Sequence, residues 1–309
     1  MPTRQELRAT QGFVAHMTFC WRHPSLTALE VAWRWLFGVP FLLILWGKAQ
    51  QILLRIPADS AGLGRLSYQN PWLSAEILYA AAGIYRPAVV EVLRWLVPAG
   101  AVVWALVSGI GRTLVLARLN WLRVDPSPRR FLARAPGMIA LQFVWAVALT
   151  GVFWLWYRAV AWDAATHLDA DAVGGEADLI GFLIWLIFIS LAVYSAWAMV
   201  SWVLSIAPVL MLHTGVPVGA ALAGSFRLGR EFSGKLVEIN LVMSIVKIAL
   251  IVLAMVFCSA PLPFSDQLGP GSLGTLYRLI AVAYLIANDY FHVVRLKSFF
   301  ELWRFYRGR

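Results

Sequence analysis

The sequence predicts an all-α fold: a polytopic transmembrane bundle of six spans, with both termini in the cytoplasm and interfacial amphipathic helices at its edges. Three observations predict it. The 309-residue chain is 61% hydrophobic and only 14% charged, with a mean hydropathy of +0.72. A soluble domain is about one-quarter charged, and a core of this size could not hide so much apolar surface from water. The apolar residues gather in runs near the roughly 20 residues a helix needs to cross a hydrocarbon layer of about 30 Å. The basic residues between those runs are concentrated on one side, as the positive-inside rule requires.

The elements follow in order. Residues 5–21 place Leu7, Val14, Met17 and Trp21 on one helical face, which predicts a helix lying on the inner surface. The N-terminus lacks the basic, apolar and small-x-small order of a cleaved leader, so the first apolar run, 27–47, reads as an uncleaved anchor. It carries Glu30 and Arg34 at i and i+4, an order that lets two charges travel as one neutral unit. Trp33, Trp35 and Trp46 bracket it at headgroup level. Next comes "NPWLSAEILYAAAGIY", with Asn70 as N-cap and Pro71 in the first turn. It is short for a crossing and is expected to form an interfacial or re-entrant helix.

The second span is 92–115, with Glu91 and Arg94 at its outer start as a second helical pair. The third is 137–156, with Trp154, Trp156 and Trp162 crowding its outer end. The fourth, 179–212, measures about 50 Å by helix rise and is expected to tilt, protrude or bend near Pro208. Trp185, Trp197 and Trp202 sit deeper and read as packing residues. The fifth span is 237–260 and the sixth 272–294. The short connection "PLPFSDQLGPGSLG" makes these two antiparallel neighbours. No soluble domain interrupts the pattern, so residues 1–309 form one integral membrane domain.

With the N-terminus inside, the cytoplasmic segments hold Arg4, Arg8 and Arg22; Arg112, Arg118, Arg123, Arg129, Arg130 and Arg134; Arg227, Arg230 and Lys235; and Arg295, Lys297, Arg304, Arg307 and Arg309. The outer segments hold Lys48, Arg55, Arg65, Arg86 and Arg158, and an acidic loop with Asp163, Asp169, Asp171, Glu176 and Asp178. The asymmetry fits an even number of spans in a bacterial inner membrane. It also accounts for the net charge of +10 without a nucleic-acid partner.

The segment "SIAPVLMLHTGVPVGAALAGSFRLGREFSGKLVEINLV" pairs Pro208 with Ala221-Leu222-x-x-Ser225-x-x-Leu228 and then a new span. Over about a fifth of the chain this resembles the bacterial membrane-domain family typified by the membrane portion of glycerophosphoryl diester phosphodiesterases and by YciC-like proteins. The resemblance implies six helices with a short amphipathic helix before a span. That family's chemistry belongs to a soluble phosphodiesterase domain, so the resemblance implies architecture and says nothing of catalysis. Read from its residues, the same segment is an amphipathic helix. Val218, Leu222, Ser225, Leu228 and Phe232 share a face, and Gly219, Ala220, Ala223 and Gly224 allow close backbone approach. Arg227, Arg230 and Lys235, together with Arg129 and Arg130 in "SPRR", are the candidate contacts to anionic headgroups. A basic topogenic loop is the plainer account of the same charges.

Ionisable groups inside spans are costly and usually partnered. Lys247, near the middle of the fifth span, and Asp289, in the sixth, can meet. With Asn288 and Arg278 they form the candidate intramembrane polar site: an ion or proton relay, or a headgroup pocket. A structural ion pair, or a snorkelling Lys247, is the plainer reading. His292 and Arg295 fall where the last span is expected to leave the lipid. His167-x-Asp169-x-Asp171 has metal-ligand residue types but reads as a solvated acidic loop. Cys20 and Cys258 lie too far apart for a disulfide framework or a metal site. The sequence holds no H-E-x-x-H, G-x-S-x-G, Walker A or G-x-G-x-x-G motif, so no metal, other cofactor or catalytic residue is expected. The sequence points to a non-catalytic integral membrane protein acting through lipid or protein contacts. Its partners are anionic membrane lipids, and another membrane protein or a second copy. A small transporter or channel around Lys247 and Asp289 is the alternative, and a membrane-embedded enzyme the third.

Overall fold

Helices start where prolines permit them. A computed structural model describes residues 9–122, 132–169, 177–231, 233–259 and 270–307. Among these, the regular elements are eight α-helices and one 3-10 turn: α1 (Ala9–Arg22), α2 (Pro24–Arg55), the turn at Leu63–Arg65, α3 (Pro71–Trp121), α4 (Ala135–His167), α5 (Leu179–Thr214), α6 (Val218–Glu231), α7 (Ser233–Ser259) and α8 (Pro270–Arg307). Pro24, Pro71 and Pro270 open their helices and Pro136 lies in the first turn of α4, where a missing N–H costs nothing. Among the described residues six helices, α2, α3, α4, α5, α7 and α8, are long and apolar enough to cross a membrane. The chain is therefore all-helical where described, and of the multi-pass membrane class.

The structure departs from the expected elements at α3. The stretch opening at Asn70 is not a separate helix. It is the first part of a 51-residue helix that contains the second span. Asn70 does cap it: its Oδ1 accepts from the Leu73 N–H at 3.1 Å. Helix continues through Pro87 and Pro98, each of which removes only one donor, a loss tolerated in membrane helices. The segment has partners of its own. Ile77 and Ala81, one turn apart, are buried, and the Tyr85 hydroxyl donates to the Ile56 carbonyl at 3.1 Å.

The chain forms two compact units, each with its own packing. One comprises residues 36–109 and 139–201. An aromatic series runs through it: Phe37 to Trp104 at 5.1 Å, Trp104 to Trp145 at 5.7 Å, and Trp145 to Trp197 at 6.0 Å. Trp197 is thus a packing residue. Trp185, expected to be one, is half exposed on α5, as are Ile187, Phe188 and Leu191 nearby.

The other unit comprises residues 1–35, 110–138 and 202–309. Its core includes Leu26, Leu116, Leu119, Leu212, Leu228, Leu296, Phe299 and Phe300. The helix α5 runs through Pro208 and ends at Gly215, whose φ of 74° suits the left-handed closing position. The Gly215 N–H reaches the Met211 carbonyl at 3.0 Å, and the Arg134 guanidinium donates to the Leu212 carbonyl. A cation thus closes the negative end of the helix. In α6, Ala221, Ser225 and Leu228 are buried while Phe226, Arg227 and Arg230 are exposed. Gly229 lies directly against Trp202, leaving no room for a side chain.

Helix α1 packs on α8. His16 Nδ1 and Ser298 Oγ are 2.8 Å apart, and the Tyr290 hydroxyl donates to the Met17 carbonyl at 2.8 Å. The fully buried Lys297 pairs with Glu301 and lies 4.9 Å from the Phe19 ring. The expected apolar face divides: Val14 and Trp21 are exposed, while Cys20 is buried. Leu7 lies outside the described residues. Burial pushes the Cys20 thiol up to about 11, against the pull of the Lys297 charge.

Candidate functional site

Glu30 is fully buried. Three side chains reach its carboxylate. Arg34 Nε, one turn along α2, lies 2.6 Å from Oε1, and Trp33 Nε1 donates to Oε2 at 3.0 Å. His292 Nε2 on α8 stands 3.6 Å from Oε1. The expected i,i+4 pair is therefore present, but it is not self-contained. Arg34 Nη1 also donates to Asp289 Oδ1 at 2.7 Å, so one guanidinium bridges carboxylates from α2 and α8. Two charge-assisted bonds in a fixed fork are what a buried Arg supplies and a Lys does not.

Glycine makes the next layer. Trp33 lies directly over Gly111 on α3, where any β-carbon would collide with the indole. This brings the guanidinium of Arg112 to 5.9 Å from the Trp33 ring, on which Arg34 also rests at 5.4 Å. Arg112 lies within electrostatic range of Glu30, Arg34 and Arg295. Lys247 on α7 is within range of Arg295, Arg34 and Asp289. His292 faces all four cations: Arg34, Arg112, Arg295 and Lys247.

Among the described residues the charges do not balance. Four cations face two carboxylates, Glu30 and Asp289, and Arg34 is held by both acids. The Nε atoms of Arg112 and Arg295 are sealed from solvent and have no hydrogen-bond partner among the described residues. Arg295 rests against Phe299, its guanidinium 5.2 Å from the ring. Such an excess of cations could accept an anion, because phosphate or carboxylate oxygens pair with guanidinium groups.

The expected polar site is thus partly assembled. Asp289 and Lys247 belong to the cluster, but no ion pair joins them, and Asp289 takes Arg34 as its partner. Asn288 is half-buried beside Asp289, while Arg278 is exposed on α8, eleven residues before Asp289, and stands outside the cluster. His292 and Arg295 lie within the cluster, and α8 continues past them to Arg307. Arg112 and Trp33 were not expected there at all.

Of the candidate headgroup contacts, Arg227 and Arg230 are exposed on α6, and Lys235 is exposed in the first turn of α7. Arg129 and Arg130 lie outside the described residues. His167 is engaged by carboxylates other than those its motif suggested: Asp178 at 3.2 Å and the buried Asp163 at 3.6 Å. Asp171 lies outside the described residues. Among the described residues no group of His, Cys, Asp and Glu could hold a metal ion. No family model, curated protein or solved structure matches this chain.

Proposed function

We propose that this is a non-catalytic integral membrane protein of a bacterial inner membrane that acts by holding an anionic headgroup at the cluster of Arg34, Arg112, Lys247 and Arg295. The observation that carries the reading is the excess of cations. Two buried carboxylates are committed to Arg34, while Arg112, Lys247 and Arg295 lack an ion pair among the described residues. Phosphate supplies the missing charge and accepts bidentate bonds from guanidinium groups. With the N-terminus inside, the cluster lies toward the cytoplasmic leaflet, and the exposed Arg227 and Arg230 face anionic lipid from the same side. The resemblance of 205–242 to phosphodiesterase membrane domains is consistent with this membrane architecture.

The test is lipid retention by the purified full chain in mixed micelles. Phosphatidylglycerol is expected to co-purify and to raise the thermal midpoint saturably, and Arg112→Gln with Arg295→Gln is expected to abolish both effects. Equal stabilisation by phosphatidylcholine, or an unchanged response in the double variant, rejects the reading. Transport is a second reading, favoured by one observation: the charged side chains come from four candidate spans, α2, α3, α7 and α8. Anion flux into proteoliposomes that is lost in Lys247→Met would select it.

A further inference from the structure

A second polar site lies apart from the cation cluster, between α1, α7 and α8. It is a cavity of about 460 Å³, a size suited to a small ligand or a headgroup. Its charge differs from that of the cluster. Lys235 and Glu238, one turn apart, come from α7, and Glu301 and Arg304, one turn apart, come from α8. Among the described residues two cations and two carboxylates leave the walls neutral, so a simple anion gains no net attraction from them.

The partnering is uneven. Arg304 meets Glu301 only at 3.5 Å and is substantially exposed, and Glu301 also serves Lys297. Glu238 has no ion-pair partner among the described residues. The lining thus offers a carboxylate to receive a cation and a loosely held guanidinium to receive an anion. Phe13, Ile239 and Val242 supply an apolar surface between them. The His16–Ser298 hydrogen bond ties α1 to α8 at the lining. Gly12 belongs to the same lining, and the space where its side chain would project is open. On α7, Leu241, Ile245 and Ile248 continue as an exposed apolar stripe, a path for acyl chains.

We propose that this cavity binds a zwitterionic headgroup, a primary amine and a phosphate on one small unit, with the amine on Glu238 and the phosphate on Arg304 and Lys235. An ammonium donates charge-assisted hydrogen bonds to a carboxylate. A choline group has no N–H to donate, so the site separates the two. The residues differ from those of the anion cluster, and the proposal stands if that reading fails.

The test uses the full chain in detergent, titrated with short-chain phosphatidylethanolamine, phosphatidylcholine and phosphatidylglycerol, and with free phosphoethanolamine, using calorimetry. Short-chain phosphatidylethanolamine is expected to bind saturably and at least about tenfold more tightly than phosphatidylcholine or phosphatidylglycerol, a difference of about 1.4 kcal/mol. Glu238→Gln is expected to remove that preference, and Gly12→Phe, built into open space, to block binding. Free phosphoethanolamine binding as tightly as the lipid supports the site and assigns it to a soluble zwitterion; weaker binding supports it and assigns it to the lipid. No saturable binding, a preference for phosphatidylglycerol, or an undiminished preference in Glu238→Gln overturns the proposal. Glu238 is exposed, so its variant remains informative if Gly12→Phe fails to fold.

Discussion

Arg34 and Asp289 are 255 residues apart in the chain and 2.7 Å apart in space. Their bond ties α2 to α8 through a guanidinium already engaged by Glu30. Removing one partner leaves a buried charge uncompensated, which costs about 3–5 kcal/mol. Asp289→Asn and Arg34→Met are each expected to lower the unfolding free energy in detergent by that order. The double variant should lose less than the sum of the two, because partners in contact couple. Lys247→Met, which breaks no ion pair, should cost far less. A larger loss for Lys247→Met than for Arg34→Met would mean that Asp289 is partnered by Lys247 instead.

Gly111 sets the position of Trp33, and through it the geometry around Glu30 and Arg112. A β-carbon would strike the base of the indole, not a flexible tip, so the helices themselves must shift. Gly111→Ala is expected to cost about 1–3 kcal/mol, the usual cost of overpacking, and to weaken the response to phosphatidylglycerol. Gly12→Ala, with open space around it, is the control and should change neither. Chemical denaturation of both variants, followed by tryptophan fluorescence, checks the pair.

The left-handed Gly215 and Arg134 together close α5. A side chain at φ 74° is strained, and here it would also press on the Arg134 guanidinium. Gly215→Ala is expected to destabilise by about 1–3 kcal/mol. Arg134→Gln should destabilise too, because it frees the Leu212 carbonyl. Hydrogen exchange localises the effect: faster exchange in the last turns of α5, with α4 beyond its first turn unchanged, is the expected outcome. Uniform protection loss across the unit would show that the closure is not local.

How much of this was legible in the sequence depends on distance along the chain. Helix starts at Pro24, Pro71 and Pro270 and the apolar runs between them are local signals, and the six long apolar helices follow them. The Glu30–Arg34 pair was legible for the same reason. The continuity of α3 was not. Glu91 and Arg94 lower the local hydropathy, but hydropathy reports on lipid, not on whether backbone hydrogen bonding stops. His292 and Arg295 lie at the end of the last apolar run, and nothing local shows that His292 stands beside Glu30. The partner of Asp289 could not be read at all. Two antiparallel neighbours suggested Lys247, and nothing local distinguishes it from an Arg in α2.

Cys20 offers a prediction in pH. Its thiol is buried at the α1–α8 contact and titrates at about 11, against 9.0 for an ordinary thiol. Desolvation is the larger cause, and the Lys297 charge acts against it. The folded state therefore favours the protonated thiol. That contribution is fully present below pH 9 and is lost as pH rises through about 11. Two measurements follow. At pH 8, maleimide should modify the exposed Cys258 and spare Cys20 until the chain is unfolded. Cys20→Ala should flatten the decline in stability between pH 9 and about 11, and early modification of Cys20 at pH 8 would show that α1 is not held on α8 as described.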